Sequence, residues 1–103
     1  MRILWSPLAR ARALEAVSWI EKDRPIVALD WLNALLERID LLTELPDQGR
    51  EVPEWGDPAV REVFHDPYRI IYEVFEDRIE ILTLSHQRQQ LGPRSRGRRG
   101  GSS

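Results

Sequence analysis

Apolar residues recur at helical spacing through the first half of the chain and at strand spacing through the second. Ile3 and Trp5 share one face of a short extended run, Arg2 to Trp5. Ser6-Pro7 then reads as a helix start. A serine side chain accepts from the free amides of a first turn, and proline at the first helical position has no amide to lose. Ala9, Ala13, Ala16, Val17 and Ile20 follow at spacings of three and four, and the small alanines imply a second helix packed close by. Lys22-Asp23-Arg24-Pro25 stops this helix and starts the next. Between Ile26 and Leu45 the stripe Ala28, Leu32, Leu35, Ile39 and Leu42 is widened by Trp31, Leu36 and Leu45. So short a connection predicts an antiparallel helical hairpin.

The period then changes. Pro46 to Gly49 ends the second helix, and residues 50–59, with Pro53, Trp55, Gly56 and Pro58, read as an ordered loop or edge segment. Val60 to His65 alternates weakly. Tyr68 to Phe75 sets Tyr68, Ile70, Tyr72 and Val74 against Arg69, Ile71, Glu73 and Phe75. Arg78 to His86 sets Ile79, Ile81 and Thr83 against Glu80, Leu82 and Leu84. With turns at Asp66-Pro67 and Glu76-Asp77, the three runs predict an antiparallel meander. The fold class is α+β: an N-terminal strand and an antiparallel helical hairpin on a small antiparallel sheet. Both faces of the last two strands are largely apolar. One must cover the helices, and the other calls for a partner.

Composition adds three constraints. At 103 residues the chain is one domain, 1–92, followed by an Arg/Gly/Ser tail, 93–103, too polar to order itself. The formal charge of −2 hides an asymmetry. Setting aside the tail's Arg94, Arg96, Arg98 and Arg99 leaves 11 basic and 17 acidic residues, a body charge of −6. That is the wrong sign for a domain that holds nucleic acid by phosphate neutralisation. There is no cysteine, which excludes disulfides and cysteine nucleophiles. No apolar run is long enough to span a membrane and the N-terminus carries no secretory signal pattern, so the expected location is cytoplasmic.

Candidate chemistry is sparse. No phosphate-cradling glycine loop, nucleophile elbow or metal-ligand spacing is present, and His65 and His86 are the only histidines. No metal and no cofactor is expected. A strand-borne polar cluster remains: Arg61, Arg69, His86, Gln87 and Arg88. If the meander pairs as predicted, Tyr68 and Arg69 lie at the same end as Ser85, His86 and Arg88. Converging cationic donors there would hold phosphate, stabilise a phosphorane or grip an acidic protein surface. Alternatively, Arg61 and Arg69 pair across strands with Glu62 and Glu73, and His86 and Arg88 only blunt a strand end.

Taken in order, Trp5-Ser6-Pro7-Leu8-Ala9, Leu45-Pro46-Asp47-Gln48-Gly49-Arg50, Val60-Arg61-Glu62, Tyr68-Arg69-Ile70-Ile71-Tyr72 and Ile81-Leu82-Thr83-Leu84-Ser85-His86-Gln87-Arg88 resemble the RelE/ParE superfamily of bacterial type II toxins, over about residues 2–91. The resemblance implies a helical hairpin on a strongly twisted antiparallel sheet and a cognate antitoxin partner, hence a hetero-oligomer. Trp19, Trp31 and Leu36 are the expected antitoxin contacts. RelE-like members resemble ribosome-dependent mRNA endonucleases, and Arg61, Arg69, His86 and Arg88 would be the catalytic candidates here. The departures count against that branch. The usual C-terminal tyrosine is missing, and Glu51, Glu54 and Asp57 stand where a lysine-rich segment is expected. The Arg61-Glu62 dipeptide and the His86 to Leu91 ending look closer to the ParE-like branch. These members resemble inhibitors of DNA gyrase that act by binding, and Arg69, His86, Gln87 and Arg88 would face the target.

Overall fold

The structure, a computed structural model, describes residues 1–93. Strand β1 (Arg2–Trp5) leads into helices α1 (Pro7–Asp23) and α2 (Pro25–Asp40), then a 3₁₀ turn (Leu41–Thr43). Strands β2 (Arg50–Glu51), β3 (Val60–His65), β4 (Tyr68–Val74) and β5 (Arg78–His86) follow. All five strands form one sheet in the order β1-β5-β4-β3-β2. The hairpin and meander stand where the periodicity put them. The tail, apart from Pro93, lies outside the described residues.

The meander strands pair antiparallel, but β1 lies parallel to β5, with Arg2 opposite Arg78 and Trp5 opposite Ile81. The sheet is therefore mixed rather than wholly antiparallel. A parallel neighbour requires a long crossover, which the helical layer supplies. Ser6 fixes that junction. Its amide donates to Ile81 O at 2.9 Å, its hydroxyl donates to Leu82 O at 2.7 Å, and the same oxygen accepts from Ala9 N–H at 2.9 Å. One residue thus caps α1 and ties it to β5.

The helices bury Ala9, Ala13 and Ala16 from α1, and Ala28, Leu35 and Ile39 from α2, with Leu42 just beyond. Leu36 and Leu45, expected to widen the second stripe, are exposed. The sheet meets the helices with Val63, Ile70, Tyr72, Ile79, Ile81 and Leu84. The last of these differs from simple alternation. Ile71 pairs with Thr83 but Tyr72 pairs with Ile81, so Leu82 is an extra residue in β5. This bulge turns Leu84 toward the helices in place of Thr83, while Leu82 keeps the outer face that alternation gives it. There Val52, Val60 and Ile71 form a second buried cluster, flanked by Trp55, Leu82 and Leu91. The chain's own 52–58 loop and C-terminal segment thus cover part of the face that apolarity alone assigned to a partner.

The loop after the 3₁₀ turn is pinned to the sheet through Tyr72. Its buried hydroxyl donates to Pro46 O and accepts from Gly49 N–H, each at 2.9 Å. Burial raises the Tyr72 pKa. Gly49 is required for close approach: a Cβ there would lie 2.5 Å from Glu62 O and 2.6 Å from the Tyr72 hydroxyl. Gly49→Ala is expected to lower stability by about 2 kcal/mol or more in urea unfolding, because backbone has to move. Tyr72→Phe should cost about 1–2 kcal/mol. It should relieve the Gly49→Ala penalty only in part, since the Glu62 carbonyl remains.

Candidate functional site

Four charged residues of the outer face form a row assembled from four segments, with Glu73 and Glu80 further along the same face. Glu62 on β3 is fully buried, and its carboxylate accepts from Arg50 Nε on β2 and from Arg69 Nε on β4, both at 2.6 Å. Arg69 turns its two remaining nitrogens onto Glu54, in the loop after β2: Nη1 to Oε2 and Nη2 to Oε1, each at 2.8 Å. All the guanidinium's faces toward carboxylate are taken, and its side chain is only 7% exposed. Arg50 also lies over the Phe64 ring, 5.2 Å from its centroid. Leaving Glu62 buried without both partners would be costly, so the alternation of charge is what lets these groups sit beneath the loop. The Arg69 bond holds the Glu54 pKa down at about 2, and the two carboxylates raise that of Arg69 further above its ordinary value.

Arg61 belongs elsewhere. It shares the helix-side face of β3 with Val63, donates to Gly49 O at 2.8 Å and lies 3.8 Å from Asp47. Of the two cross-strand pairings expected for the arginines, the one between Arg69 and Glu62 is present, whereas Arg61 is held by the Gly49 loop.

His86 stands opposite Tyr68 at the end of the sheet, on the helix side. Their rings are 5.6 Å apart, and the series continues from Tyr68 to Trp31 at 5.7 Å and from Trp31 to His65 at 5.1 Å. Trp31 Nε1 donates to Asp66 O at 3.0 Å and Gln87 Nε2 donates to Asp66 Oδ1 at 3.0 Å. The Arg88 amide donates to His86 Nδ1 at 3.1 Å. The strand register thus brings Tyr68, Arg69, Ser85 and His86 to one end, as expected, but the pleat sends Arg69 and His86 to opposite faces. The four ribonuclease candidates do not converge.

Of the three hydrophobic residues expected at a docking surface, Trp19 is 70% and Leu36 43% exposed. Trp31 is half-buried against the core and the sheet end. Five residues apart on one helix, Trp31 and Leu36 point about 140° from each other. Leu36 instead shares its flank with exposed Leu29. A separate cleft of about 1060 Å³ runs along the outer face beside β5. Its lining includes Leu8 and Arg12 from α1, Trp55, Leu82, Leu91 and the carboxylates Glu73 and Glu80. Trp55 Nε1 donates to Gly92 O at 3.0 Å, tying the C-terminal segment to the 52–58 loop. Among the described residues no group of three histidine, cysteine or acidic side chains is placed to hold a metal ion, and no helix is long and apolar enough to cross a membrane.

This α+β architecture, a helical hairpin on a five-stranded mixed sheet, is shared with a solved structure. That structure, titled "Chromosomal ParDE TA system from P. aeruginosa", superposes with a TM-score of 0.70 at 22% identity, over 84% of this chain and 95% of that one. The sequence agrees at family level. A family model described as ParE toxin of type II toxin-antitoxin system, parDE, matches residues 3–91. A protein of Sinorhizobium fredii (strain NBRC 101917 / NGR234) named "Putative toxin Y4kP" is 33% identical over 91 residues, covering 86% of this chain and 91% of its own length. The chain belongs to the ParE toxin family of type II toxin–antitoxin systems, the branch toward which the Arg61-Glu62 dipeptide and the C-terminal ending leaned.

Sequence reasoning included Glu62 among the expected partners of the strand arginines but missed the occupant of Arg69's fork. Glu54 was noted only as an acidic departure in an expected lysine-rich stretch. The available signal was that departure, together with a buried-strand arginine in need of carboxylates. Arg69→Met should lower stability by about 3–5 kcal/mol in urea titration, by leaving Glu62 buried with one partner fewer. Because the folded pKa of Glu54 lies below its ordinary 4.5, its contribution is complete above that value and is lost as pH falls toward 2. Glu54→Gln should therefore flatten this part of the acid limb in a thermal-unfolding series.

Proposed function

We propose that this chain arrests growth by binding a protein target, DNA gyrase being the first candidate, without cleaving RNA, and that a cognate antitoxin neutralises it in a hetero-oligomer. The observation that carries this reading is the state of Arg69. Metal-independent phosphodiester cleavage needs positioned acid and base groups and a cation free to meet developing charge. Here the fork of Arg69 is engaged by Glu54 and Glu62, Arg61 serves the Gly49 loop, and His86 is on the other face. Membership of the ParE family and the acidic body support the same choice. The ribonuclease reading keeps no specific observation of its own.

Within this reading His86, Gln87 and Arg88 present the target-facing end of the sheet. Arg69 contributes by holding the outer-face loop in place. Trp19 and Leu36, with Leu29 beside the latter, offer the apolar anchors an antitoxin segment folding on the toxin would cover. Trp31 acts from beneath, by fixing the Asp66 turn against which Gln87 rests.

Expression of the toxin alone should stop growth and raise the DNA-damage response, while primer extension on translated messages shows no new cleavage. Purified toxin should inhibit gyrase supercoiling, and Arg88→Glu should weaken that inhibition by about tenfold or more if the residue lies at the centre of the contact. Ribosome-dependent message cleavage lost on His86→Ala would overturn the proposal. Leu36→Glu should weaken capture by the product of the neighbouring antitoxin frame while sparing toxicity.

A further inference from the structure

The row on the outer face is also a built anion site that already has a ligand. Arg69 has the features of a phosphate or carboxylate receptor: a rigid planar fork, more than nine-tenths buried, held at its base by Glu62 so that Nη1 and Nη2 point together toward the loop. Ser85, its cross-strand neighbour, lines the adjoining cleft, and so does Trp55, beside Glu54. What meets the fork is the Glu54 carboxylate, bidentate at 2.8 Å from both nitrogens. Glu54 comes from the loop and not from the sheet, and its side chain is 32% exposed, so solvent reaches the outer side of the pair. Two of the row's four members are cations and two are anions. Without the charge of Glu54, Arg50 and Arg69 against Glu62 leave one net positive charge in the row, next to Trp55, while the adjoining cleft holds two cations, Arg12 and Arg78, against two carboxylates, Glu73 and Glu80; a cation beside an aromatic ring is what single-stranded nucleic acid favours.

From this we infer that Glu54 is a specificity-determining residue: its carboxylate occupies the two-nitrogen fork of Arg69 and keeps single-stranded RNA off the outer face. The inference deepens the non-enzymatic reading but does not depend on which protein is the target. Binding of RNA after loss of the Glu54 charge is separable from inhibition of gyrase by the unaltered protein.

The test is fluorescence anisotropy of a labelled single-stranded RNA dodecamer with the full chain, at low and at moderate salt. Glu54→Gln can keep one bond to Arg69 but sets an amide donor against its second terminal nitrogen, so the fork is no longer closed, and it is the principal variant. Glu54→Ala, lacking that bond, is the second, and cooperative melting of either one qualifies it for the assay. Glu51→Gln removes the same charge from an exposed neighbouring position outside the row. Glu54→Gln should tighten RNA binding by about tenfold relative to the unaltered chain, with a steeper salt dependence. Glu51→Gln should leave it unchanged, and adding Arg69→Lys to Glu54→Gln should abolish the gain because the fork is lost. Equal gains in the Glu51 and Glu54 variants would mean that only net charge matters and would overturn the inference. So would a folded Glu54 variant that binds no better than the unaltered chain, or a gain that survives Arg69→Lys.

Discussion

Arg69 sits in the sheet with less of its side chain exposed than many apolar residues, and the outer face is organised around that fact. A buried guanidinium must be neutralised, and so must the fully buried Glu62. The solution is a row of alternating charges in which each strand or loop contributes one member: Arg50 from β2, Glu62 from β3, Arg69 from β4 and Glu54 from the intervening loop. Because two members come from consecutive segments on either side of Val52, the row and the apolar contact of Val52 with Val60 and Ile71 support each other. The loop is thereby laid over the sheet, and Trp55 is brought to the C-terminal segment, which it holds at Gly92.

The consequence for function is a division of the sheet into two unlike faces. The helix side ends in a series of rings in tilted and edge-to-face contact, from His65 and Trp31 through Tyr68 to His86, with Gln87 and Arg88 just beyond. On the outer side the buried cation, Arg69, is already held by two carboxylates, and Arg50 gives its Nε to one of them. The difference is set by the pleat and by the bulge at Leu82, which between them decide which side chain faces which layer. A small fold of this kind gains no catalytic set by having the right residue types near one sheet end, because neighbours in sequence alternate between faces.

Much of the architecture was legible in the sequence because it rests on local rules. The Ser6-Pro7 helix start, the alanine stripe, the break at Pro25 and the bounds of β3 and β5 follow from capping, side-chain volume and period. The parallel pairing of β1 with β5 did not, since it joins residues more than seventy positions apart with no turn between them to fix the register. The bulge was hidden for a related reason. Leu82, Thr83 and Leu84 have no strong polar alternation, so only the packing of Leu84 under the helices reveals the slip. For the site, the register that brings Arg69 and His86 to one end and the pairing of Arg69 with Glu62 could be read, but their opposite faces and the second carboxylate, Glu54, could not. Glu54 reaches Arg69 from fifteen residues away through an irregular loop, whose path no periodicity describes.

The central claim is that Arg69 is a sequestered structural cation and not a working one. Its Nε–H offers the most direct reading, observed by proton–nitrogen NMR of the folded protein. The account predicts a sharp, downfield-shifted resonance that exchanges slowly with water at neutral pH, as expected for a proton buried against Glu62, and that stays in place when single-stranded RNA is added. A rapidly exchanging Nε–H, or one that moves on addition of RNA to the unaltered chain, would contradict it.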